Sequence, residues 1–507
     1  MSVIRSSLLV GLGAGLSRVL GFVRDVLFAQ ALGAGPVADA FLAAFRLPNL
    51  VRRVVGEGGL NPALVPVIGS LAPKAAATLS GDVIVVFALA LLGVTGLVQL
   101  TAGLLAFALA PGLAGEPDTL ALVALYTRLA FPSVICITLA SIGAALLNLH
   151  GRFRAASLAP LAVNGGLILA IVALELRPAL PLVEKAGWLA AASSLAGFAQ
   201  LVIVGAAMLG GDVRLVRFRR PVWSPVLKGL LLAGFPALVA SGAVQLFVLV
   251  GTQVASFWPS GVSWLYYADR VVQLPLGLMA ALASSVLLPE LALHHRTGAR
   301  EALVAAQNRA IGLGLLLSLP ASLALLVLSR PIASVLFQRG AFEAEDAAGT
   351  ALVLMGLSLG LPVATLAKVF SQTLFARGAL RGAVVAALGG IAATALLSFG
   401  LGFVWGVFGI ALGISLGSVV HAGILMWLLR QAGLWAPDRA LSRKAARIAS
   451  ASALMAGGIA AALRLSPMPS TVALAGLCIG GVAVFAGAAW LLGAVTRQDL
   501  APLTKKP

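Results

Sequence analysis

Hydrophobic positions along the chain gather into long runs, many of 20 to 30 residues, separated by short polar connections. A bilayer-spanning helix needs about 20 predominantly apolar residues. The runs therefore predict fourteen spanning helices, at approximately 6–31, 36–56, 82–110, 119–149, 157–175, 187–209, 225–256, 262–292, 302–328, 347–376, 382–402, 405–429, 445–463 and 470–495. The stretch NPALVPVIGSLAPK, residues 61–74, is apolar but holds three prolines, and reads as an interfacial or re-entrant connection.

A faint internal repeat organises these spans. LLNLHGRFRAA (146–156) and TLFARGALRGA (373–383) superimpose at a shift of 227, and ALVPVI (63–68) meets VLLPEL (286–291) at a shift of 223. The agreement predicts two six-helix halves of the same orientation, 1–212 and 213–432, followed by 433–507 with two further helices and a tail. Transporters are often built this way, with the substrate site near the midplane between the repeats.

Composition agrees with a polytopic membrane protein. The 507 residues have a mean hydropathy of +1.05, with 60% hydrophobic and 10% charged positions, and leave no room for a separate soluble domain. The net charge of +18 would suggest nucleic acid in a soluble chain. Here the basic residues lie in short connections, where they set topology, and no basic tract interleaved with aromatics suits nucleic acid. Alternate connections carry twenty Lys and Arg on one side, from Arg152 to Lys506, against five on the other: Arg177, Lys185, Arg330, Arg339 and Arg464. The richer side is expected to be cytoplasmic, which places both termini inside and makes the number of spans even. The run after Arg5 reads as an uncleaved first helix. Cys136 and Cys478 fall within apolar runs as small core hydrophobes. No metal spacing, phosphate loop, paired carboxylates or nucleophile elbow is present, so neither a cofactor nor catalysis is expected. With no loop large enough for a nucleotide-driven motor, the energy for any transport must come from gradients, membrane potential or metabolic pull.

Charge breaks the pattern in one place. Between Ser17 and Glu57, Arg18, Arg24, Asp25, Asp39, Arg46, Arg52, Arg53 and Glu57 lie inside or against the first two spans. A charge at the bilayer centre costs between about 3 and 17 kcal/mol, so it persists only beside a partner, a wet cavity or a ligand. On the first helix, positions 17, 21, 24, 25 and 28 share a face. That stripe of Ser, Gly, Arg, Asp and Phe must meet protein or water. Adjacent helix positions do not point at one another, so at least one of Arg24 and Asp25 is expected to have a different partner. On the second helix Pro48 removes a backbone hydrogen bond and GEGG follows, so a bend or an end is expected. Asn49 and Arg52 share a face, Asp39 sits at the outer end, and Arg46 and Arg53 read as interfacial or structural.

The second half supplies GVSWLYYADRVVQLP (261–275), which puts Ser263, Asp269 and Arg270 in the eighth span, and Lys368 in the middle of the tenth. If the halves face each other, Arg18, Arg24, Arg52, Arg270 and Lys368 surround one cavity, with Asp25, Asp39 and Asp269 as counter-ions. A cationic cavity suits phosphate or diphosphate, because a planar guanidinium donates two parallel hydrogen bonds to phosphate oxygens. A cationic substrate would call for buried acids instead.

At these residues the chain resembles the MurJ (MviN) family of lipid II flippases, in the superfamily that includes multidrug, oligosaccharidyl-lipid and polysaccharide exporters. The resemblance rests on SRVLGFVRD, ADAF, FRLPNLVRRVVGEG and NPALVPV in the first half, and on VSWLYYADRVVQLPLG and SSVLLPEL in the second, in matching order along essentially the whole chain. It implies an all-α polytopic fold in the bacterial cytoplasmic membrane, with two pseudo-symmetric six-helix lobes and two C-terminal helices. It implies that Arg18, Arg24, Arg52 and Arg270 bind the diphosphate and sugar headgroup, and that Lys368 matches a lysine of the second lobe. Ser17, Asp39 and Ser263 match positions of the outward gate or its packing, and Asp25, Asn49, Glu57 and Asp269 accompany them as polar positions of the gate or framework. Gln273 stands where members often carry an acid. The seventh, eleventh and twelfth spans lack Asp and Glu, so a carboxylate-built sodium site there is not expected. The last two helices would give a groove to the undecaprenyl tail. Implied partners are lipid II and membrane lipids, with contact to the cell wall synthesis machinery left open. Two alternatives stand beside this reading: a polysaccharide-unit or drug exporter of the same superfamily, and a non-transporting cell wall assembly scaffold. Scarce buried acids count against the drug exporter, and buried arginines against the scaffold.

Overall fold

A computed structural model describes residues 3–53, 61–210, 215–220, 222–282, 300–377, 379–466 and 468–495, and every regular element among them is a helix. Glu57 and the SSVLLPEL stretch lie outside the described residues. The helices are α1 (Val3–Leu32), α2 (Pro36–Arg53), α3 (Asn61–Gly69), α4 (Pro73–Leu109), a 3-10 turn (Pro111–Gly115), α5 (Pro117–Ala130), α6 (Ser133–Leu149), α7 (Phe153–Glu175), α8 (Leu182–Leu209) and α9 (Pro225–Ala255). They continue with α10 (Gly261–Leu282), α11 (Arg300–Phe337), α12 (Ala344–Ser358), α13 (Leu361–Ala376), α14 (Leu380–Gln431), α15 (Arg439–Leu465) and α16 (Thr471–Leu491). Counting α5 with α6, and the bent pair α12–α13, as single crossings, splitting α14 in two, and setting aside the nine-residue α3, the described helices make the fourteen crossings that the runs predict. Among the described residues, seven helices and the α5–α6 pair are each long and apolar enough to cross, and the bent α12–α13 pair is a ninth. With Asp39, Arg46, Arg52 and Arg53, α2 is not among them.

The chain divides into two compact units. The first is Met1–Ser263 with Arg339–Phe342; the second is Trp264–Gln338 with Glu343–Pro507. The same device breaks one crossing in each. Pro132 lacks an N–H, which frees the Arg128 carbonyl four residues earlier, and the Gln99 side-chain amide of α4 donates to that carbonyl at 2.9 Å. In the second unit Pro362 frees the Ser358 carbonyl, and the Ser322 hydroxyl of α11 donates to it at 2.7 Å. A bilayer offers no water to do this, so a neighbouring helix must. The two prolines are 230 positions apart, close to the 227 and 223 of the sequence repeat.

In the first unit, α1, α2 and α5 meet at an aromatic cluster. Phe41 and Phe45 stack at 5.4 Å, Phe28 meets each edge-on at 5.2 and 5.7 Å, and Tyr126 joins Phe41 at 6.3 Å. Each such pair contributes about 0.5–1.5 kcal/mol beyond area burial. The stretch after α8 lies back on α4. The Arg217 amide donates to the Ala77 carbonyl at 2.9 Å, and Arg219 grips the buried Asp82 carboxylate with two bonds of 3.2 and 3.0 Å. The bond to Asp82 holds the Arg219 guanidinium above its ordinary pKa.

Gly81 makes this approach possible, since a Cβ there would meet the Arg217 carbonyl oxygen at 2.1 Å. Gly81→Ala is expected to destabilise the protein by about 1–3 kcal/mol and to speed tryptic cleavage between Arg217 and Arg220. Gly93→Ala on the same helix, where a Cβ meets nothing within 4 Å, should be neutral or stabilising, because alanine exceeds glycine in helix propensity. Thermal unfolding in detergent and timed proteolysis check both variants.

In the second unit α14 is a hairpin. Trp405 and Gly406 leave helical geometry, and Gly406 takes φ +58°, a left-handed value that glycine adopts without strain. The arms then return against each other, Gly409 on Leu401, Gly413 on Ser398 and Gly417 on Thr394. Without a hydrophobic drive between helices in lipid, such close packing through small residues is what holds them together. At the start of α12, Asp346 accepts from the Glu343 amide at 3.0 Å and from the Trp264 indole at 3.2 Å. Asp346 is buried.

Candidate functional site

The polar stripe of α1 faces protein, as its spacing requires, and the protein is α7. Leu16, Val19 and Val23 are exposed on the rest of the helix, whereas Arg24, Asp25 and Phe28 are buried. Arg24 is 5% exposed and Asp25 1%. The guanidinium curls back on its neighbour, with Nε and Nη2 donating to Asp25 Oδ1 at 3.0 and 2.6 Å. A long, flexible side chain thus overcomes the divergence of adjacent helix positions. Arg24 also has the expected different partner: Nη1 donates to Asn164 Oδ1 at 2.9 Å. Asn164 in turn donates to the Ser17 carbonyl at 3.0 Å and lies 3.4 Å from the Ser17 hydroxyl. The rings of Phe28 and Phe45 each lie 5.6 Å from the Arg24 guanidinium carbon.

At the start of α2, buried Asp39 accepts from both the backbone amide and the hydroxyl of Ser263, the amide at 2.8 Å. Ser263 opens α10, so the carboxylate satisfies a helix N-terminal donor and meets the positive end of the helix dipole. Asn49 turns its side-chain amide back to the Phe45 carbonyl at 3.1 Å, next to Pro48. Arg46 is buried, which favours a structural over an interfacial role. The backbones of Arg52 and Arg53 complete the last turn of α2, and their side chains lie outside the described residues. Arg18 is exposed, six positions and therefore roughly 120° around the helix from Arg24.

In the second unit, Asp269, Arg270 and Gln273 form a short relay on α10. Arg270 Nη1 donates to Gln273 Oε1 at 3.3 Å, the Gln273 amide donates to Asp269, and the Arg270 guanidinium lies 4.5 Å from the Tyr266 ring centre. An amide at 273 serves both neighbours, accepting from the cation and donating to the anion, where an acid would repel Asp269. Lys368 is on α13 with an exposed side chain. The structure thus brings together Ser17, Arg24 and Asp25, then Asp39 with Ser263, then Asp269 with Arg270 through Gln273. Sequence reading missed Asn164 and the bridging role of Gln273. A lone Asn within the apolar run LAVNGGLIL was the available signal for the first.

Long apolar helices, with a bent crossing, a buried ion pair and amide-bridged guanidiniums, define a multi-pass helical membrane protein. Residues 28–475 match the family described as lipid II flippase MurJ. A protein of Rhizobium meliloti named probable lipid II flippase MurJ is 39% identical over 348 residues, which cover 68% of this chain and 64% of that relative. The lipid II flippase MurJ of Burkholderia cenocepacia is 28% identical over 97% of this chain and 98% of its own length. Among solved structures, a lipid II flippase MurJ in an inward closed conformation superimposes with a TM-score of 0.77 at 22% identity, covering 97% of this chain and 100% of that one. The chain belongs to the MurJ lipid II flippase family.

Proposed function

We propose that this protein moves lipid II, the undecaprenyl-diphosphate-linked peptidoglycan precursor, from the inner to the outer leaflet of the bacterial cytoplasmic membrane. The observation that carries the reading is Arg24: a guanidinium buried in a membrane-spanning helix whose protein partners leave two of its five N–H groups for a ligand. Family membership supports lipid II as the bearer of the matching diphosphate. Arg24 and Arg270 are the principal donors to the headgroup, with Arg18, Arg52 and Lys368 as further cations. Asp39 and Ser263 belong to the gate, and both termini are cytoplasmic.

The mechanism is alternating access. The headgroup enters from the inner leaflet while the tail stays in lipid, and diphosphate neutralises the arginines. Neutral contents lower the electrostatic cost of closing around them, so binding biases the protein toward the state that opens outward. The decisive experiment depletes the resident flippase in a host bacterium, supplies this protein, and measures lipid II exposed at the outer face. Accessibility and growth should both return. Growth that returns while lipid II stays inaccessible would overturn the reading.

A further inference from the structure

We infer that Asn164 is a positioning residue of the anion site, one that aims Arg24 and sets the local charge; the inference rests on the proposed diphosphate-binding role of Arg24. Asn164 reaches α1 from α7 and is 9% exposed. Its amide nitrogen is committed to the Ser17 backbone carbonyl at 3.0 Å, which turns its oxygen toward Arg24 Nη1 at 2.9 Å. The orientation of the amide is therefore fixed by α1 itself.

A guanidinium carries five N–H groups. Asp25 takes one from Nε and one from Nη2, and Asn164 takes one from Nη1. One N–H remains on each terminal nitrogen, and phosphate oxygens accept strongly from such charged donors. The guanidinium carbon is 5.6 Å from each ring of Phe28 and Phe45, and those rings are 5.7 Å apart. Three points in a near-equilateral triangle place both rings on one side of the guanidinium. At 5% exposure Arg24 is closed off in this conformation, and the surrounding helices must part to admit a headgroup.

The neutrality of the amide matters as much as its position. Arg24 and Asp25 form an ion pair, and an amide oxygen holds the third N–H without adding charge. A carboxylate at 164 would hold Arg24 more strongly, since hydrogen bonds between ions are roughly twice as strong as neutral ones, and would add a negative charge facing an arriving diphosphate.

The test measures binding of undecaprenyl diphosphate to the full-length protein in lipid nanodiscs, with Asn164→Ala and Asn164→Asp beside the wild type. Asn164→Ala should raise the half-saturating concentration roughly ten-fold, the scale of one hydrogen bond to a charged group. Asn164→Asp should raise it further, although aspartate preserves the acceptor oxygen. A merely structural residue would lower the melting temperature of the ligand-free variants and leave the affinity of the folded fraction unchanged; that result, or an Asp variant binding as tightly as wild type, overturns the assignment. Wild type that binds undecaprenyl diphosphate while leaving lipid II unmoved in cells would sink the flippase reading alone. Wild type that fails to bind it overturns both.

Discussion

Arg24→Ala is expected to abolish complementation of a flippase-depleted strain and to lower the amount of inserted protein as well. The two losses have different origins. The substitution removes the guanidinium bonded to Asp25, a carboxylate only 1% exposed, through contacts of 3.0 and 2.6 Å. Taking one partner from a buried ion pair costs up to about 3–5 kcal/mol, because the remaining charge keeps its desolvation penalty. That is a large share of the 5–15 kcal/mol typical of folded proteins. A second substitution separates stability from transport. In Arg24→Ala with Asp25→Asn the buried charge is gone, so immunoblotted membrane protein should return toward the wild-type level. Complementation should not return, since the proposed donors to the headgroup are still absent. Recovery of growth in the double variant would show that Arg24 serves only to neutralise Asp25, and the cationic site would have to be sought elsewhere.

The comparison of Arg24 with Arg18 shows what was legible in the sequence. Both arginines stand out as charges in an apolar run, and both match the family's pattern. Their helical positions already differ, because only Arg24 lies on the stripe with Ser17 and Asp25. The structure turns that difference into burial of one and exposure of the other. The identity of the stripe's partner was not legible, because Asn164 is 140 positions from Arg24 and no local rule links them. Asp39 and Ser263 are 224 positions apart, and sequence grouped them only through the family resemblance. The count of crossings was legible because bilayer thickness dictates helix length. The breaks near Pro132 and Pro362 were not, because a broken crossing keeps the apolar length of an intact one. What reveals them is the freed carbonyl and the side chain that answers it.

Gly413→Val is expected to prevent the second unit from folding, although Gly413 lies far along the chain from every residue of the candidate site. A Cβ at 413 would stand 2.3 Å from the Ser398 nitrogen and 2.4 Å from its Cα. These are backbone atoms of the opposing arm, so no rotamer change relieves the clash and the arms must separate. Separation would also break the Ser398 hydroxyl bond to the Ile410 carbonyl at 3.0 Å and open the neighbouring contacts of Gly409 and Gly417. Overpacking by a single methyl typically costs about 1–3 kcal/mol, and valine adds two more carbons at the same point. Alanine at 413 should therefore give a folded but less stable protein, whereas valine should give little protease-resistant material after membrane extraction. Gly423→Ala is the control within the same arm, since a Cβ there meets nothing within 4 Å, and it should unfold no earlier than wild type. A valine variant that accumulates normally and melts with the wild type would mean that the arms of α14 are not held by this glycine seam. Transport lost together with folded protein in Gly413→Val, but lost without it in the Arg24 and Asp25 double variant, would separate the residues that build the carrier from those that hold its cargo.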